Sequence, residues 1–151
     1  MNKPKYRAWD TWNKRMITEF GRETLVETSS GFHYVDLYAK TDGTVIASIK
    51  EHKNGDIFTN PVETLPLMQY TGLKDKNGVE IYEGDILRRK YKSINYSNVE
   101  HTIEYAVFRD NTGAWRVKNP NKTLTNVLEI RKAVEVIGNI HANPELLNEV
   151  D

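Results

Sequence analysis

The chain has no cysteine, which excludes disulfides, thiolate metal sites and a cysteine nucleophile. No stretch approaches the roughly 18 consecutive apolar residues that a membrane-spanning helix needs. The first residues, "MNKPKYRAWDTWNKRM", are basic but have no apolar run behind them, so neither a signal peptide nor an anchor is expected there. An excess of one charge is also missing. The 21 Lys and Arg are matched by 21 Asp and Glu, for a formal net charge of zero. Proteins that hold nucleic acid by their overall field are usually basic, which leaves only a local basic patch for that role. No Gly-x-Ser-x-Gly elbow, Gly-x-Gly-x-x-Gly turn or Gly-x-x-x-x-Gly-Lys loop occurs. The histidines (His33, His52, His101 and His141) lack the spacing of zinc sites and are expected at the surface. His101 and Glu104 would face opposite ways on a strand. No enzyme, metal or cofactor is expected on these grounds.

What is present is a dense set of turns. At 151 residues the chain can bury roughly 70% of its unfolded surface. Eight Tyr and three Trp argue against disorder. Asp42-Gly43, Asn54-Gly55, Asn77-Gly78, Glu83-Gly84-Asp85, Asn111-Thr112-Gly113 and Asn119-Pro120-Asn121 punctuate β-rich segments. Asn-Gly and Asp-Gly accept positive φ at low cost, so a meander of short strands is expected. "FHYVDLYAKTDGTVIASI" reads as a hairpin with Phe32, Tyr34, Asp36 and Tyr38 on one face and His33, Val35 and Leu37 on the other. "HTIEYAVFRDNTGAWRVK" reads as a second, with Ile103, Tyr105 and Val107 sharing a face with each other, as do Trp115 and Val117. "AVEVIGNI" is a further strand, bulged at Gly138. "ANPELLNEV" is the best helix, capped by Asn143 with Pro144 at its first position. "TLTNVLEIRK" is ambiguous: Leu124, Val127, Leu128 and Arg131 fit a helical stripe, but β-branched content opposes it. Asn60 to Pro66 is the least patterned connection, since Pro61 and Pro66 block regular pairing.

The stretch "LMQYTGLKDKNGVEIYEGDIL" holds four carboxylates within eleven residues: Asp75, Glu80, Glu83 and Asp85. Oxygen ligands of this kind could gather around a divalent cation. The spacing fits no calcium loop, and no histidine lies within fifteen residues of any of the four. A turn–strand–turn framework accounts for them better. Asn77-Gly78 makes one turn and Gly84-Asp85 another, with Asp85 accepting backbone N–H groups. Between them Val79 and Ile81 share a strand face.

"LRRKYKSINYSN" is the most interesting surface. Arg88, Arg89, Lys90 and Lys92 carry four positive charges without a negative one, and Tyr91 and Tyr96 are interleaved. Basic groups can hold phosphates while rings stack on bases. The plainer reading is a solvated strand edge where Lys and Arg discourage aggregation. A protein partner is the third reading. Trp9 and Trp12 are three apart beside Asp10. On a strand they face opposite ways, so one is expected in the core and the other on a neighbouring element or partner subunit.

The carboxylate-rich stretch resembles the signature of the YopX family, proteins of phages and prophages of Gram-positive bacteria. "KYRAWDTWNKRM" (Lys5 to Met16) resembles that family's amino-terminal motif, and "VEVIGNIHANPELL" (Val134 to Leu147) its carboxy-terminal block. The three pieces cover about a third of the chain, in the right order. The resemblance implies a mostly β fold with an SH3-like small barrel, and a phage product in the cytoplasm of a bacterial host. It implies no catalytic residues.

The expected architecture is mainly β: a short-stranded region, residues 1–65, packing on an SH3-like barrel, residues 66–151, with a short C-terminal helix. Trp9, Tyr70, Leu73, Ile81, Ile86, Val107, Trp115, Val136 and Ile137 should contribute to the core. The expected role is that of an accessory protein acting by binding, to a protein partner or to copies of itself. The alternative is a nucleic-acid-binding module using residues 87–98, with Arg88, Arg89, Lys90, Tyr91, Lys92 and Tyr96.

Overall fold

The structure, a computed structural model, describes residues 5–28, 31–42, 44–51, 61–93, 99–119 and 124–147. Its contacts divide into two compact units, Met1–Gln69 and Tyr70–Asp151. Both are built from antiparallel strands, and the chain is mainly β with curled, half-barrel sheets.

In the first unit β1 (Tyr6–Asp10) is flanked by β2 (Arg15–Ile17) and by the first residues of β7 (Leu67–Lys74). A second sheet runs in the order β3 (Gly21–Thr28), β4 (Gly31–Ala39), β5 (Val45–Glu51) and β6 (Pro61–Leu65). The hairpin read at Phe32 to Ile49 is β4–β5, in unbroken register from His33↔Glu51 to Ala39↔Val45. His33, Val35 and Leu37 share one face and turn inward; on the other, Phe32 and Tyr38 are exposed while Tyr34 is buried. Ala8, Ile17, Val26, Val35, Ala47, Ile49 and Leu65 form the core, with Phe20, Leu37 and Leu67 packed against it. His33 corrects the expectation of four surface histidines: it is buried, because inward alternation on β4 fixes its side. The expected unpaired connection at Asn60 to Pro66 is also corrected, since Pro61–Leu65 is a strand paired to β5. Pro61 is its first residue on the sheet's edge, where a missing N–H is tolerated. The Pro66 carbonyl accepts from Trp9 N at 2.9 Å. Asn54-Gly55 and His52 lie outside the described residues.

The second unit opens with the remainder of β7, paired to β8 (Glu80–Tyr82) through Tyr70↔Tyr82 and Lys74↔Glu80. Its five-stranded sheet runs in the order β12 (Leu124–Asn126), β11 (Trp115–Lys118), β10 (Glu100–Arg109), β9 (Asp85–Lys92), β13 (Val134–Asn139). The expected hairpin is β10–β11, and β13 carries a register shift between Val136 and Gly138, as the glycine suggested. Ile81, Leu87, Tyr105, Val107, Val117, Val127, Ile130 and Val134 form the core. Of the residues expected inside, Ile81, Ile86 and Val107 are buried. Trp9, Tyr70, Leu73, Trp115, Val136 and Ile137 are half-buried.

The ambiguous segment resolves into both structures. β12 ends at Asn126, whose side chain caps the single-turn helix α1 (Val127–Ile130) by accepting from Leu128 N at 2.9 Å. The turn buries Val127 and Ile130 and leaves Leu128 exposed, which corrects the expected stripe. The C-terminal element is a short 3₁₀ turn, Pro144–Leu147, following Asn143. Val79 likewise does not share the inward face of Ile81. It sits in the turn before β8, and its N–H is directed to the Asp75 carboxylate.

Candidate functional site

The carboxylate-rich stretch is consumed by the fold. Asp75 is buried, and its Oδ1 accepts Asn77 N at 2.8 Å and Val79 N at 2.9 Å. Its Oδ2 accepts Val136 N at 2.9 Å, while Val134 O accepts Lys76 N at 3.1 Å. Residues 134 and 136 point the same way along β13, so the 75–79 turn covers the edge that β13 does not share with β9. Asp85 is buried too, with Oδ2 accepting Tyr82 N at 2.8 Å. Gly84 lies between, linked by N–H to Val107 O and by its carbonyl to Ile140 N. Among the described residues no three His, Asp or Glu are grouped as a metal site would require.

The same loop is built twice. In Asp75-Lys76-Asn77-Gly78-Val79 the aspartate backbone N–H donates to the Val79 carbonyl, and its own carbonyl accepts Gly78 N. In Asp110-Asn111-Thr112-Gly113-Ala114 the Ala114 carbonyl and Gly113 N play those parts. In both, Oδ1 accepts the second and fourth N–H onward. The fourth residue is a glycine at φ +81° or +87°, a conformation costly for other residues. Arg116 Nε adds a 2.6 Å bond to Asp110 Oδ2. Hydrogen bonds from the Thr112 hydroxyl and Arg116 hold the Asp110 carboxyl well below the usual range.

Asp10 organises a third loop, within residues 10–15. Its buried carboxylate accepts Trp12 N, Asn13 N, Asn13 Nδ2 and Arg15 Nε at 2.9–3.1 Å. Burial alone would raise its pKa, but the bonds from Asn13, Arg15 and Trp12 outweigh it and hold the carboxyl below the usual range. Asn13 Nδ2 also donates to Glu27 O, and Arg15 Nη2 to Leu25 O. Those carbonyls lie on the outer edge of β3, so this loop too covers a sheet edge. It carries Trp12, which is 45% exposed. Leu25 is 43% exposed, and Phe32, the register partner of Glu27, is 61% exposed. Trp12 is thus the exposed tryptophan, and the two side-chain bonds bring it to the β3 strand that holds Leu25. An open groove of about 370 Å³ beside them is lined by Met16, Ile17, Thr24 and Leu25 among others.

The basic strand is split by the pleat. Arg88, Lys90 and Lys92 face one side of β9; Arg89 and Tyr91 face the other, with Leu87. Arg88 pairs with Glu104 at 3.0 Å and has Glu135 as its partner in β13. Lys92 is opposite Glu100. The neighbouring strands therefore bring acids to one face that the linear stretch does not contain. On the other face Tyr91 stacks on His101, with ring centroids 5.2 Å apart and planes 26° from parallel. Tyr96 lies outside the described residues. Asn77 and Gly78 form the turn of the first loop, and Gly84 and Asp85 the turn into β9.

The sequence model of the YopX protein family matches residues 5–148 of the chain. The chain belongs to the YopX family. Among solved structures, this YopX protein is similar to the crystal structure of protein EF1440 from Enterococcus faecalis. The two are 29% identical with a TM-score of 0.54, over 97% of this chain and 99% of that one. No curated protein matches it. The three segments that carry the YopX resemblance contain Asp10, Asp75, Asp85 and Asn139. Each of these turns its side chain onto backbone N–H groups.

Proposed function

We propose that this YopX protein acts by binding, to a protein partner or to copies of itself, and performs no catalysis. The observation that carries the reading is the corner of the first unit where Trp12, Leu25 and Phe32 are exposed. Aromatic side chains of this kind supply much of the energy of protein interfaces. The corner is held by Asn13 and Arg15 rather than left to a floppy loop, which lowers the entropy lost on binding. The use of Asp10, Asp75, Asp85 and Asp110 as turn locks supports the non-catalytic part. Family membership supports an accessory role for a phage or prophage product in the bacterial cytoplasm. Among the described residues no helix is long and apolar enough to cross a membrane.

The test compares the full chain with a Trp12→Ser/Phe32→Ser variant. Light scattering across concentration reads self-association. Capture from nuclease-treated host extract reads a partner of another kind. Loss of oligomer or of a defined partner in the variant, with its thermal melt intact, supports the reading. Identical mass and identical captured proteins for both chains would overturn it.

A further inference from the structure

The strands β9 and β10 run on past their neighbours. On one side the pairing of β13 with β9 ends at Val134↔Arg89. On the other, β11 pairs with β10 only from Ala106 to Arg109. Lys90 to Lys92 and Glu100 to Thr102 therefore pair only with each other among the described strands, and Ser93 N donates to Val99 O beyond them at 3.0 Å. This two-stranded arm holds Tyr91 and His101 on one face, stacked across the strands and both exposed. A cross-strand stack inside a sheet would be flanked by further side chains. Here no described strand lies beside Tyr91 on its outer side, nor beside His101 on its own, and both side chains are exposed.

Arg89 lies two residues from Tyr91 on the same face and is exposed. Lys90 and Lys92 project from the opposite face of the arm. Arg89, Lys90 and Lys92 make no ion pair among the described residues. Lys132 is exposed in the turn just before Val134, the register partner of Arg89. Glu104 neutralises Arg88 only, and Glu100 faces Lys92 across the opposite side of the arm. The stacking face therefore carries rings and a cation without an acid in register.

We infer that the β9–β10 arm is a binding site for single-stranded nucleic acid, with a base stacking on the Tyr91–His101 pair and a phosphate held by Arg89 on the same face. Aromatic faces accept any base, and unpaired cations track the backbone. A duplex keeps its bases stacked inside and offers the rings nothing to stack on, so single strands are the matched partner. Zero net charge is compatible with this, since the field needed is local to the arm. The site is separate from the corner at Trp12 and does not depend on the protein-binding reading.

The experiment titrates the full chain into a labelled 12-nucleotide single strand and its duplex, read by fluorescence anisotropy at several salt concentrations. Tighter binding of the single strand is expected. Tyr91→Ala should weaken it about 5- to 150-fold, from the loss of about 1–3 kcal/mol of stacking, and Tyr91→Trp should restore it. Arg89→Ala should lower the slope of log affinity against log salt by about 0.7 for the lost contact. Lys74→Ala, which removes an exposed charge from β7, should bind as the parent does. Absence of binding at low salt, equal or better binding of duplex, or unchanged affinity in a folded Tyr91→Ala chain would each overturn the assignment.

Discussion

Asp75 Oδ2 accepts the backbone N–H of Val136 at 2.9 Å, across 61 positions of sequence. The other oxygen of the same carboxylate closes the turn that holds it. One side chain thus fixes a local loop and covers the open edge of β13. Asp10 does the equivalent for β3 through Asn13 and Arg15. Exposed edges invite pairing with other chains, and both units blunt an edge with a carboxylate-ordered loop.

Asp75→Ala should be severely destabilising. It leaves three backbone N–H groups without their acceptor, and a buried unsatisfied donor costs about 1–3 kcal/mol. A loss of at least about 2 kcal/mol is expected in urea denaturation, with a melting temperature lower by roughly 5–10 °C. Asp110→Ala removes the same loop pattern at a solvated hairpin, where water can replace the carboxylate, and should cost clearly less. Equal losses from the two would refute the edge-lock role of Asp75.

Gly84→Val should cost more than about 1 kcal/mol, since φ at Gly84 is +83° and a β-branched residue is strained there. Thermal melting of the variant measures this. A melt like the parent's would mean that the turn into β9 can be rebuilt without positive φ.

Acid should remove the stability that Asp10 contributes. Its folded-state pKa is lowered, so the contribution is complete above the unfolded value of about 3.9 and is lost as pH falls through the lower folded value. Asp10→Asn should therefore be less stable than the parent at pH 7, with the gap shrinking on acidification. Paired denaturation curves from pH 7 to pH 2 test it. A gap that stays constant would show that the ionised form is not what matters.

Removing the cover of β3 should show as association as well as lower stability. Asn13→Ala/Arg15→Ala leaves the Leu25 and Glu27 carbonyls for water and takes two donors from the buried Asp10 carboxylate, a loss of about 2–4 kcal/mol. The freed edge then sits beside exposed Leu25 and Phe32. Light scattering during incubation at 37 °C should show faster aggregation than the parent. Equal aggregation would mean that the loop does not guard the edge.

The hairpins, the bulge at Gly138 and the turn chemistry of the carboxylate stretch were legible in the sequence because each depends on neighbours a few residues apart. Period-two alternation sorted the residues of β4 and β10 onto two faces, and Asn-Gly and Asn-Thr-Gly turns marked the loops. Long-range placement was not legible. That Asp75 reaches Val136, that Pro61–Leu65 joins β5, and that His33 is buried depend on which strands become neighbours. The same holds for charge and exposure. The linear stretch at Arg88 to Lys92 reads as uniformly basic, and only the pairing of β9 with β10 and β13 sets Glu104 and Glu135 against one face and Tyr91 on His101 against the other. Sequence fixes period and turn because those are local backbone preferences, whereas neighbours across a sheet are set by burial of the whole core, which only the assembled fold decides.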